Sequence, residues 1–121
     1  MSRPRVDQLV RGLRGWVRNH DLNVQAAVEL LISHDVWLRR TDLGFAGRCV
    51  QPTSDGHYCI DWRAARAAFE AGEFTCASTT ERAVLDVAIA LGEDRYRFTH
   101  MGTANAQLLI EATTRALGGR R

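Results

Sequence analysis

Apolar and polar positions recur with helical spacing over most of the chain. In residues 5–19, Val6, Leu9, Val10, Leu13, Trp16 and Val17 fall on one side of a helix advancing about 100° per residue. Asp7, Arg11, Arg14 and Arg18 fall on the other, so the segment predicts an amphipathic helix. Gly12 and Gly15 interrupt it, each at a cost of about 1 kcal/mol relative to alanine. A close backbone approach by a neighbour or a ligand is expected to offset that cost. The following stretch, VQAAVELLISH with Asn23 as its N-cap, is apolar on nearly all sides apart from Gln25 and Glu29, which predicts a central, buried helix. His34 and Asp35 end it, and TDLGFAG reads as an irregular connector.

Two β-prone runs, RCVQ and HYCID, flank a turn carrying Asp55-Gly56 and predict a hairpin over about residues 48–61. Asp61 then caps a short helix with Trp62, Ala65 and Phe69 on one face, Arg63, Arg66 and Glu70 on the other, and Gly72 at its stop. Ser78 and Glu81 form a capping box for the next helix, Gly92 supplies its end, and Glu93–Asp94 reads as an exposed pair beyond it. Tyr96 and Phe98 alternate with Arg95, Arg97 and Thr99, the pattern of a short strand. The last helix, N-capped by Thr103 and stopped by Gly118, closes the domain.

These elements define an α+β, mainly α, class: four or five helices packed around a buried second helix, with one small β-hairpin inserted midway. They form a single globular domain over residues 1–119, with a frayed C-terminal tail at 120–121. The 121 residues, 45% hydrophobic and 25% charged, can bury a core without metal or disulfide staples. No apolar run is long enough to span a bilayer and the N-terminus lacks a secretory h-region, so a cytoplasmic protein with no membrane partner is expected. Three cysteines, Cys49, Cys59 and Cys76, cannot all pair, which favours reduced thiols.

Charge narrows the picture further. All 16 Lys/Arg positions are arginine, a composition typical of a GC-rich genome and pointing to a bacterial or phage source. A net charge of +2 excludes a global basic field. The local excess sits at the N-terminus, where Arg3, Arg5, Arg11, Arg14 and Arg18 face Asp7 alone. Arg39 and Arg40 extend this patch if the fold brings them alongside. A solvated helix face, a protein contact and a phosphate-tracking contact all fit such a row.

Catalytic chemistry is harder to find. Cys49, His57 and Cys59 lie on the hairpin and are weak zinc-ligand candidates, but no C-x-x-C or H-x-x-x-H knuckle accompanies them. Phosphate-binding glycine loops, nucleophile elbows and zinc-protease motifs are missing from the sequence. Gly-Leu-Arg-Gly fits the G-x-x-G loop of KH domains only formally, since no strand is predicted before it. No catalytic residue and no cofactor is implied.

The expectation is therefore a small non-enzymatic binding or regulatory protein. It would dock the arginine-bearing N-terminal helix face on a partner protein or a nucleic acid. The alternative is a structural subunit of a larger assembly or a homodimer, anchored by aromatic residues among Trp16, Trp37 and Trp62. A small enzyme or metal site at the His57/Cys59 hairpin comes third.

Overall fold

The computed structural model describes residues 4–96 and 98–119; Arg3, Arg97 and the 120–121 tail lie outside the described residues. Helix α1, Val6–Val17, follows the predicted stripe and buries Leu9, Leu13 and Val17. Helix α2, Leu22–His34, lies between α1 and a later helix, with Val24, Ala27, Val28 and Leu31 buried and Leu22, Ala26 and Glu29 exposed.

The cap of α2 is Asp21, whose carboxylate accepts from the Val24 N–H at 3.2 Å, and not Asn23. Two cap-type residues stand close together there, and the earlier one frees Asn23 for the interior. Asn23 is 5% exposed. Its amide donates to Asp94 at 3.0 Å and to the Tyr96 carbonyl, pinning the distant segment that follows the fifth helix.

The predicted connector is partly helical. Gly44, at φ +77°, opens a short helix α3, Phe45–Cys49, so Arg48 and Cys49 leave the expected first strand. The hairpin that remains is β1, Val50–Pro52, antiparallel to β2, Tyr58–Ile60, with Val50 opposite Ile60 and Gln51 opposite Cys59. Helix α4, Trp62–Glu70, is capped by Asp61, which accepts from the Ala64 N–H at 3.0 Å. Helix α5, Thr79–Gly92, begins with the predicted Ser78–Glu81 capping box and packs along α2.

Three expectations near the C-terminal end are corrected. Gly92 is still helical and admits the Trp62 indole against its backbone, while Asp94, at φ +59°, takes the left-handed position beyond the helix. Glu93 is not simply exposed: it receives Arg66 of α4 at 3.1 Å, and Arg66 also reaches Asp86 at 2.9 Å. Phe98–His100 forms a 3₁₀ turn in place of a strand. Alternation alone makes no strand without an edge to pair with.

The last helix, α6, Thr103–Ala116, starts after Gly102 with no side-chain cap and contains no buried residue. The core lies between α1, α2, α5 and the hairpin, and includes a ring cluster of Trp37, Phe45 and Phe74 with centroids 5.4–6.0 Å apart. No helix among the described residues is long and apolar enough to cross a membrane.

Candidate functional site: an arginine-lined groove

Helix α1 is held against the hairpin by its two glycines. A Cβ at Gly12 would stand 2.5 Å from Tyr58 Cδ2, and one at Gly15 would stand 2.6 Å from His57 Nε2. The neighbour that offsets their helix-propensity cost is therefore β2 and the loop before it. With this side of α1 packed on the hairpin, its arginine row turns outward.

A groove of about 1070 Å³ runs beside that row, lined by Arg5, Arg11, Arg14 and Arg18 and, across it, by Arg39. Val6, Val10 and Ile32 supply apolar surface in the same groove, and Asp7 and Asp35 supply its carboxylates. Five of the seven arginines singled out from the sequence thus meet at one site. Arg3 lies outside the described residues, and Arg40 turns away to bind Asp42 at 2.8 Å and Glu81 at 3.4 Å.

The five arginines are not equivalent. Arg14 donates to both Glu29 oxygens, at 3.0 and 3.3 Å, which ties α1 to α2 and raises its pKa through that hydrogen bond and the adjacent charge. Arg39 donates from Nε to both oxygens of Asp35 at 3.1 Å, and Arg5 stands 3.5 Å from Asp7. Arg11 and Arg18 are exposed and belong to no ion pair among the described residues. They also border a smaller recess on the hairpin side, shared with Gln8, His57 and Tyr58. These two guanidiniums form a crest reachable from both flanks of α1.

The hairpin candidates do not assemble a metal site. Cys49 is buried at the end of α3, where loss of solvent, aided by the Asp61 charge, raises its thiol pKa to about 11. Cys59 is half-buried on β2 opposite Gln51, and His57 packs over Gly15 with its Nδ1 3.6 Å from Asp55. Among the described residues no three His, Cys, Asp or Glu side chains converge in a metal-binding group.

Sequence reasoning missed the apolar part of the groove. Val6 and Val10, one helical turn apart, carried a local signal for it. Ile32, on α2, joins them only through the packing of the two helices. No protein-family model matches this chain, and no curated protein or solved structure matches it either.

Proposed function

We propose that this protein is a non-enzymatic binding module that holds an acidic protein segment in the groove between α1 and α2. The observation that carries this reading is the convergence of five arginines on one apolar-floored groove, two of them unpaired. Guanidinium forks match carboxylates bidentately, and Arg14, through Nε and Nη2 on the two Glu29 oxygens, already displays that pairing beside the groove. Arg11 and Arg18 are free to offer it to a partner.

A protein partner suits the groove better than nucleic acid. Phosphate tracking favours a stripe of uncompensated cations, whereas three of these five already face carboxylates of the same chain. The apolar floor of Val6, Val10 and Ile32 calls for apolar side chains interspersed with acids.

Fluorescence anisotropy with a labelled acidic amphipathic peptide, duplex DNA and single-stranded RNA, at low and moderate salt, tests the reading. Peptide binding should weaken as salt rises and fall by roughly tenfold or more in an Arg11→Ala/Arg18→Ala variant. No peptide binding, or tighter binding of either nucleic acid, overturns it.

Helix α6 favours a second reading, self-association. Leu108, Ile110 and Leu117 on or next to it are 61%, 57% and 82% exposed. Leu108, Glu111, Ala112 and Arg115 share one stripe, so an antiparallel second copy would set Glu111 against Arg115. Sedimentation velocity should then show a dimer that Leu108→Glu dissociates; a monomer at every concentration sinks this reading.

A further inference from the structure

Beside the arginine groove lies a more enclosed apolar cavity of about 520 Å³. Its walls include Val6, Leu9, Leu38, Val50, Pro52 and Tyr58, several of which also belong to the core. Small residues, Gly44, Ala46 and Gly47, stand along and just before α3 on its lining. A Cβ at Gly47 would meet no atom within 4 Å. Pro4, Val6 and Arg39 line both this cavity and the groove, so the two are adjoining parts of one surface.

We infer that the cavity is the anchor pocket for the acidic segment, receiving one large apolar side chain of the partner while neighbouring carboxylates lie on the arginine row. This rests on the reading of the groove as an acidic-peptide site and specifies the partner's chemistry. Charge and shape agree on that occupant. The groove presents a guanidinium excess, five arginines against the carboxylates of Asp7, Asp35 and the Glu29 that holds Arg14, which leaves Arg11 and Arg18 to select acids. The cavity beside it carries one charged lining residue, Arg39, placed where groove and cavity meet. A segment with an apolar anchor flanked by acids satisfies both, whereas a purely polar polyanion leaves the cavity unused. Binding energy in such interfaces concentrates on an aromatic or aliphatic anchor seated in a desolvated pocket, with charges steering the encounter.

Two short labelled peptides of identical acidic pattern test this, one with a central tryptophan and one with alanine in its place. They are titrated against the native chain, Gly47→Phe, and Arg11→Ala/Arg18→Ala. Gly47 lines the cavity, lies outside the left-handed region and has room for a Cβ, so a larger side chain can be introduced there without backbone strain. Gly47→Leu is a smaller second filler, and a thermal melt checks that both variants fold.

The native chain should bind the tryptophan peptide about tenfold or more tightly than the alanine peptide. Filling the cavity should abolish that preference. The double arginine variant should weaken both peptides. Equal, measurable affinities of the two peptides for the native chain overturn the anchor pocket and leave the groove reading standing. A preference that survives in both folded filler variants also overturns it. If neither peptide binds, the groove reading fails and the anchor pocket falls with it.

Discussion

At the scale of single residues, the two glycines of α1 look alike in sequence but face different obstacles. At Gly12 an added methyl meets Tyr58 at its ring and also at its backbone nitrogen, 3.0 Å away, which cannot swing aside. At Gly15 it meets only the imidazole of His57, a half-buried side chain able to rotate. Gly12→Ala should therefore cost about 1–3 kcal/mol in urea unfolding despite roughly 1 kcal/mol of improved helix propensity. Gly15→Ala should stay near the native midpoint; equal losses at both sites would contradict this account. The sequence announced a close approach at these glycines but not its source, because the partner lies in another element. Cys49 makes a second residue-scale case. Its buried thiol titrates near 11, above the ordinary 9.0, so between those values the folded chain holds a proton that the unfolded chain releases. Stability must then fall as pH rises through that window. The stability difference between the native chain and Cys49→Ala should narrow from pH 9 to 11, and a constant difference would show that this thiol is not protected.

At the scale of elements, what holds one helix to another decides which charges matter. Arg66 is 16% exposed at its side chain and joins α4 to α5 through Asp86 and Glu93, with Trp62 seated against Gly92 along the same seam. Arg66→Met should cost about 1–3 kcal/mol, because Glu93 is left half-buried without its main partner. The control is Arg39→Met, whose pair with Asp35 is exposed and lies four residues away in the turn after α2, and which should barely move the unfolding midpoint. Equal effects would mean that the seam is not held by this contact. Local signals made α1, the Asp61 cap and the Ser78–Glu81 box legible, since each is written within a few adjacent residues. Other elements depend on distant partners. Asn23 has the chemistry of a cap, yet its amide is needed by Asp94 and Tyr96 in the fold. Tyr96 and Phe98 alternate as a strand would, yet Phe98 opens a 3₁₀ turn and its ring stands 5.9 Å from that of Tyr96.

At the scale of the whole molecule, the arginine row of the candidate site was readable from helical spacing, while its union with Arg39, and the loss of Arg40 to Asp42 and Glu81, required the packing of α1 on α2. The apolar residues of α6 state only that a face gains from being covered, not what covers it. Helix α6, 14 residues long, contributes no buried residue to the core. An isolated helix of that length is marginal in water. All three tryptophans, Trp16, Trp37 and Trp62, belong to the core or pack against it, so their fluorescence reports its melting alone. On heating, far-ultraviolet circular dichroism should lose signal before tryptophan fluorescence does, the difference being the unwinding of α6. Raising the protein concentration should remove that early loss if a second copy covers the helix, and leave it unchanged if the chain remains a monomer. Coincident transitions in dilute solution would show instead that α6 is held by the rest of the chain, despite the exposure of Leu108, Ile110 and Leu117.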